Sequence, residues 1–333
     1  MPLPTRLKCD PWAEVSAKLL SHEVLAVADE MPGAALCVAC SGGSDSVALL
    51  HLLNGVKDLR KRLVVLHYDH GLREVTSQRD RIFVEALSQQ LALPFFWQRR
   101  PSGRGGGEDE LRRDRMAFFR ETMANLSTPY VLTAHHRDDA IETLLLRLGR
   151  GSGLLGLTAP RAVQRFLDGP IHLRPLLHVA KCDLLKYLDE SGLGFCEDET
   201  NGLPEHCRNR LRNELLPLWR TVEPLRDLDG AILATQKLLA EDCDALELVA
   251  QKIYGEAFDG DVLLLAKLRL ESRAIVRRVL HRYFNGRGHT LRKSLTHALL
   301  EAIANGKKVN LSIDTQARCV SDGAALKICP RRS

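Results

Sequence analysis

A short apolar run, Leu36-Cys37-Val38-Ala39-Cys40, is followed at once by Ser41-Gly42-Gly43-Ser44-Asp45-Ser46 and then by the apolar stretch Val47 to Leu53. The order reads as strand, glycine-rich turn and helix. Such a turn presents unpaired backbone N–H groups at the positive end of a helix dipole, which is where a phosphate binds. Two adjacent glycines let the backbone approach an anion with no Cβ in the way. Ser44 and Ser46 offer hydroxyls. Asp45 is out of character for an anion-binding loop unless it holds a metal ion, and Mg²⁺ bridging a carboxylate and a nucleotide phosphate resolves the conflict. The loop is not a Walker A sequence, since the Gly-Lys-Ser/Thr ending is absent. It also lacks the third spaced glycine of the dinucleotide fingerprint.

The pattern around the loop repeats. Leu63 to Tyr68, Pro94 to Gln98 and Tyr130 to Ala134 read as further strands, and helices are predicted over Pro11 to Glu30, Arg79 to Leu91, Glu108 to Met123 and Asp138 to Arg150. Strands alternating with helices predict an α/β fold with a doubly wound parallel sheet. Ligands of such sheets bind outside the carboxyl ends of the strands. The loop at Ser41, the polar strand end at Asp69 and the pair His135-His136 all fall on that edge. After Leu176 the pattern turns helical, with helices predicted over Lys181 to Ser191, Asn209 to Arg220 and Asp229 to Tyr254. A small α+β domain is predicted from about Asp261, with a basic amphipathic helix over Glu271 to Phe284, a helix over Leu291 to Asn305 and a hairpin around Leu311 and Leu326. The predicted domains are 1–222, a helical linker 223–260 and 261–333.

Charge is divided unevenly. Gln251 to Ser333 carries 16 Lys/Arg against 7 Asp/Glu, while the preceding residues carry 31 against 35. A basic tail on a mildly acidic body points to a polyanionic partner. No apolar run approaches the roughly 20 residues of a membrane span, and Met1 to Asp10 has no signal-peptide character, so a cytoplasmic protein without membrane attachment is expected. Nine irregularly spaced cysteines fit reduced thiols better than a disulfide framework. Cys37 and Cys40, three apart in a strand, point to opposite faces and make a poor metal pair.

Thr133-Ala-His135-His136-Arg-Asp138-Asp139-Ala-Ile-Glu142-Thr143 sets two histidines and several acids at a strand-to-helix junction, with Asp138 a plausible N-cap. Arg112 and Arg115 share one helix face, and Arg208-Asn-Arg-Leu-Arg212 adds three arginines. The loop resembles that of the ATP pyrophosphatase superfamily. The whole set is similar to the tRNA(Ile)-lysidine synthetases: Ser41–Ser46; His67-Tyr-Asp-His-Gly-Leu-Arg73; the helix Glu108 to Phe119; Thr133 to Asp139; Arg150-Gly-Ser-Gly-Leu-Leu-Gly156; Arg174-Pro-Leu-Leu177; and Glu197-Asp-Glu-Thr-Asn201 before Arg208–Arg212. The likeness is strong from Leu36 to Arg220 and weaker beyond Leu263. Met116 stands in place of a usual tyrosine and Glu199 in place of a frequent proline. On this resemblance, no counterpart is expected for an extra C-terminal domain that some members carry.

That resemblance implies an enzyme that uses ATP and Mg²⁺ to attach L-lysine to the wobble cytidine of tRNA(Ile) bearing a CAU anticodon. It implies that Ser41, Gly42, Gly43, Ser44, Asp45 and Ser46 bind the ATP phosphates, with Asp45 holding Mg²⁺. Arg112, Arg115 and Arg208 would stabilise charge on the triphosphate or the adenylated base. His135 and Asp139 would lie nearest the cytosine and the incoming lysine, with Asp139 receiving the ammonium. The basic tail, through Arg273, Arg277, Arg278 and Arg282, would bind tRNA, and a homodimer is compatible with all of this. Two rivals stand beside it: a tRNA thiolase, which would need cysteines at the site, and a non-catalytic RNA-binding module.

Overall fold

A computed structural model describes residues 13–71, 74–101, 107–166, 169–196, 207–222 and 227–331. Arg73, the glycines at 105 and 106, and the motif Glu197–Asn201 lie outside the described residues. So do Pro11 and Trp12 at the head of the first predicted helix. The chain divides into two compact units, Met1–Gln236 and Lys237–Ser333, with the boundary inside the helix Leu228–Ala257.

The first unit is built on a six-stranded sheet of β1 (Leu36–Ala39), β2 (Leu63–Asp69), β3 (Phe95–Arg99), β4 (Tyr130–Leu132), β5 (Val163–Gln164) and β6 (Ile171–Leu173), in the order β3-β2-β1-β4-β6-β5. Every pairing is parallel except β5 with β6. The last two strands escape sequence reading because they are two and three residues long, too short to show a period. β1 is buried from both sides. Leu36 and Val38 join the core formed by the helices Ser44–Gly55 and Lys181–Glu190, whereas Cys37 packs with Phe118, Phe119 and Met123 of the helix Glu108–Asn125. Cys37 and Cys40 do face opposite ways, one into each core.

The chain order runs outward from β1 through β2 to β3, then returns to place β4 on the other side of β1. Neighbouring connections therefore diverge between β1 and β4, opening the crevice at the sheet's carboxyl edge where ligands of doubly wound folds bind. The helix Ser44–Gly55 is buried continuously from Ser46 to Leu53, so the turn that feeds it is anchored in the core.

Two expected helices are redrawn. Pro11 to Glu30 resolves into Ala13–Leu19 and His22–Ala28, separated at Ser21, whose ψ of 121° is extended. Asn209 to Arg220 becomes Cys207–Arg210, a π-helical turn Leu211–Leu215 and Leu216–Val222. Among the described residues no helix is long and apolar enough to cross a membrane.

The second unit holds β7 (Phe258–Asp259), β8 (Val262–Leu264), β9 (Val309–Ser312), β10 (Ala317–Ser321) and β11 (Ala325–Pro330) in one antiparallel sheet, ordered β7-β8-β11-β10-β9. The expected hairpin of Leu311 with Leu326 is corrected here: they sit on β9 and β11, with β10 between them. The basic helix is Arg273–Asn285, capped by the Ser272 hydroxyl accepting from the Ile275 N–H at 3.4 Å. Its apolar stripe, Ile275, Val276, Val279, Leu280, Tyr283 and Phe284, is buried as the spacing predicts.

The arginines of that helix are not a free cationic face. Arg278 and Arg282 pair with Glu247 at 2.9 and 3.8 Å, and Arg273 pairs with Glu301 at 2.7 Å. Arg278 is nearly buried, so removing it strands Glu247 without its main partner. We expect Arg278→Met to destabilise the protein by about 1–3 kcal/mol in denaturant unfolding, while exposed Arg277→Ala changes it by less than about 0.5 kcal/mol. Equal, small effects would contradict this division.

Candidate active site

Gly42 adopts φ +95°, and a Cβ there would lie 3.3 Å from Val84 Cγ2 and 3.6 Å from Cys196 Sγ. Only glycine meets both conditions. The Cys196 N–H donates to Gly42 O at 2.9 Å and holds the turn from outside. From inside, the Ser46 hydroxyl accepts from the N–H groups of Ser41 and Gly42, both at 3.2 Å, and donates to Gly43 O at 2.9 Å. Val47 is the first helical residue whose N–H finds a backbone acceptor, Gly43 O at 3.1 Å. The N–H groups of Ser44, Asp45 and Ser46 therefore point out of the helix N-terminus. That is an anion cradle.

Each loop residue has a definite task. Ser46, expected as a phosphate donor, is instead buried, and its hydroxyl serves the loop itself. The Gly43 N–H donates to Ser41 Oγ at 3.3 Å. Ser44 Oγ accepts from Lys181 Nζ at 2.7 Å, and the same ammonium pairs with the Asp45 carboxylate. His136 Nε2 stands 3.6 Å from the other Asp45 oxygen. Burial pushes the Asp45 carboxyl up, but His136 and Lys181 outweigh it and hold its pKa below the ordinary value. An ionised carboxylate beside three outward N–H groups is a donor set that would suit a divalent cation brought in with an anion. Among the described residues no three acid, histidine or cysteine side chains form a metal cage of their own.

The junction after β4 separates the two histidines. His135 Nδ1 lies 2.9 Å from the Thr133 hydroxyl. Burial, then Arg174, Arg112 and Arg115, push its pKa down to about 3. His136 caps the helix Arg137–Gly149. Burial lowers its pKa, but Asp45 and Asp139 more than compensate, so it ends above the ordinary value. Asp138 is thus not the N-cap. It accepts from the Lys181 N–H at 3.0 Å and from Arg220 at 3.3 Å. Asp139 accepts from the His136 N–H at 3.0 Å, with Arg212 3.6 Å away. Glu142, one turn on and buried, accepts from Arg212 Nε at 2.6 Å. Burial raises its pKa despite that partner.

Facing His135 is a cationic group. Arg115 is largely buried, and burial with Arg112 lowers its pKa. Arg174 is 4% exposed and donates to Arg161 O at 2.7 Å; burial, Arg112 and Arg147 bring its pKa down to about 10. The Nε atoms of both Arg115 and Arg174 lack a hydrogen-bond partner among the described residues. Unpartnered buried guanidinium donors are costly unless an anion meets them. The helix bearing Arg112 and Arg115 is fixed by Arg100, which pairs with Asp114 at 2.7 Å and Glu110 at 3.2 Å. Arg208 is exposed, and its charge is felt at Glu142 and Arg147. Sequence reading assigned no role to Lys181, His136, Arg174 or Arg212. Arg174, His136 and Arg212 do lie within the quoted motifs, whereas nothing local distinguishes Lys181 from a solvated lysine.

The fold and the loop together define an α/β domain of the PP-loop class, with a glycine-rich turn that leaves backbone N–H groups facing outward. A family model described as the PP-loop domain matches residues 17–219. A tRNA(Ile)-lysidine synthase from Geobacter sulfurreducens is 37% identical over 268 residues, 74% of this chain and 54% of the relative. One from a Synechococcus species is 32% identical over 279 residues, 83% and 84% of the two chains. The solved U34-tRNA thiolase NcsA from Methanococcus maripaludis, with its [4Fe-4S] cluster, superposes with a TM-score of 0.53 at 14% identity, covering 69% of this chain and 77% of that one; this is a likeness of fold. The chain belongs to the tRNA(Ile)-lysidine synthase family of PP-loop proteins. It spans about half the length of the Geobacter relative.

The two histidines give the site a testable acid response. An unfolded histidine takes up a proton at about pH 6.5, whereas folded His135 refuses one until about 3. The stability this ring contributes is therefore complete above about pH 6.5 and lost as pH falls toward 3. His136, with its raised pKa, acts in the opposite sense: its contribution is present at low pH and lost as pH rises through its folded pKa. Thermal melts should show wild type losing stability faster than His135→Gln between pH 6.5 and 4.5. Parallel curves would contradict the assignment.

Proposed function

We propose that this chain ligates L-lysine to C2 of the wobble cytidine of tRNA(Ile) with a CAU anticodon, consuming ATP and releasing AMP and pyrophosphate. The observation that carries the reading is the outward anion cradle of Ser44–Ser46 beside Asp45, at the crevice between β1 and β4, in a member of this family. The cytosine C2 oxygen cannot leave as oxide. Its attack on the α-phosphorus of ATP expels pyrophosphate and turns that oxygen into part of a good leaving group. The lysine ε-amine then bonds to C2, the C2–O bond breaks, AMP departs, and the amine sheds its proton.

The turn Ser41–Ser46 holds the phosphates through the outward N–H groups of Ser44, Asp45 and Ser46, with Ser41, Gly42 and Gly43 shaping it. Asp45 would hold Mg²⁺, which would supply neutralisation of phosphate charge. Arg112 and Arg115, together with buried Arg174, stabilise negative charge as it develops, and exposed Arg208 adds to them. His135 is neutral at working pH, and with Nδ1 held by Thr133 its Nε2 is the nitrogen left for the reacting base. Asp139, with Glu142 close by, receives the substrate ammonium. A neutral amine is required for attack, and desolvation in this half-buried site assists its deprotonation. A cytoplasmic location follows from a tRNA substrate.

The thiolase reading is disfavoured by thiol chemistry. Burial pushes the Cys37 thiol up to about 12. Burial, then Asp80, push Cys196 up to about 12. Burial also raises Cys40, and protonated thiols are poor nucleophiles. Radiolabelled lysine should enter bulk bacterial tRNA only when ATP is present. Incorporation of sulfur from a donor in the absence of lysine would overturn the reading.

The region from about 261 onward is proposed as the tRNA-binding domain. With Arg273, Arg278 and Arg282 engaged internally, the support comes from exposed Arg277, Arg292, Lys293, Lys307, Lys308 and Lys327. Backbone-phosphate binding releases counterions, so tRNA affinity should fall by at least about 10-fold between 50 and 200 mM salt. A salt-insensitive dissociation constant would contradict it.

A further inference from the structure

Lys181 begins the helix Lys181–Glu190, yet its ammonium reaches another element altogether, the first turn of the helix that follows the phosphate loop. There it donates to Ser44 Oγ at 2.7 Å and pairs with Asp45. Its backbone is pinned. The Lys181 N–H donates to Asp138 Oδ2 at 3.0 Å, and the Arg137 N–H donates to Val179 O at 2.9 Å two residues earlier. Asp138 is itself held by Arg220, which also grips Asp229 through bonds of 3.1 and 2.7 Å. The side chain, by contrast, keeps 32% of its surface exposed, as does Asp45. A fixed root and a solvent-accessible tip describe a cation that can exchange partners without moving the fold.

We infer that Lys181 is a phosphate ligand of the nucleotide: it neutralises Asp45 while the site awaits ATP and passes to the phosphate oxygens when the divalent cation takes that carboxylate. The inference rests on the nucleotide reading above. Its physical basis is charge balance. Asp45 beside an anion cradle would repel a triphosphate, and the nearest compensating ammonium already lies against both Asp45 and Ser44. Entry of a cation–nucleotide complex brings a positive ion to Asp45 and negative oxygens to the same spot. The Lys181 ammonium, three rotatable donors on a flexible stem, then has a better acceptor within reach.

The alternative is that Lys181 serves Asp45 alone, and a double-mutant cycle separates the two roles. ATP binding to the full chain is measured by calorimetry, with Mg²⁺ and separately in EDTA, for wild type, Lys181→Met, Asp45→Asn and the double variant, after thermal melts establish that each is folded. We expect Lys181→Met to weaken binding of Mg²⁺–ATP at least 10-fold. The Asp45→Asn background should still lose at least 5-fold for metal-free ATP when Lys181 is replaced. If replacing Lys181 has no effect once Asp45 is neutral, its only partner is Asp45 and the inference falls. If wild type binds no ATP at all, the nucleotide reading itself fails, a separate result. A second readout needs no variant: ATP should slow acetylation of Lys181 by acetic anhydride at least 3-fold, read by peptide mass spectrometry. Unchanged labelling with ATP demonstrably bound would overturn the inference.

Discussion

The Ser46 hydroxyl, buried beneath the turn that follows β1, shapes most of what matters in this protein. It accepts from two successive backbone N–H groups and donates to the carbonyl of a third residue, so one side chain closes the Ser41–Gly43 turn. The turn can close only because Gly42 accepts φ +95° against Val84. Once closed, it leaves the next three N–H groups facing outward and sets Ser44 and Asp45 on the rim. Lys181 and His136 then meet Asp45 from two other elements. A hydroxyl that reads as a phosphate donor in the sequence is the brace that turns backbone N–H groups outward.

A second constraint is electrostatic partition. Adjacent residues His135 and His136 end with opposite tendencies to hold a proton because extended backbone turns them toward different surroundings. One ring lies among arginines, with no carboxylate partner among the described residues. The other lies among Asp45, Asp138 and Asp139. Two unlike surroundings thereby meet at one strand-to-helix junction, arginines around His135 and carboxylates around His136.

The architecture of the first unit was legible because short apolar runs such as β2, buried at nearly every position, alternate with longer stretches of helical spacing such as Glu108–Asn125. β5 and β6 were not, being only two and three residues long. At the site, the residues found by reading were those inside dense motifs, such as Asp45, His135 and Asp139. Lys181 was missed because it acts across 136 residues of sequence, a relation that only packing of one helix N-terminus against another reveals. The basic helix misled in the opposite way. Arg273, Arg278 and Arg282 look like a cationic face until Glu247 and Glu301, distant in sequence, arrive to neutralise them.

The proposed function makes one chemical commitment, that the α-phosphorus of ATP is the atom attacked. Incubating the purified protein with ATP labelled at the α position, lysine and tRNA, and resolving the nucleotide products, tests this most directly. The account predicts AMP and pyrophosphate formed in step with modified RNA. Release of ADP and orthophosphate would contradict it.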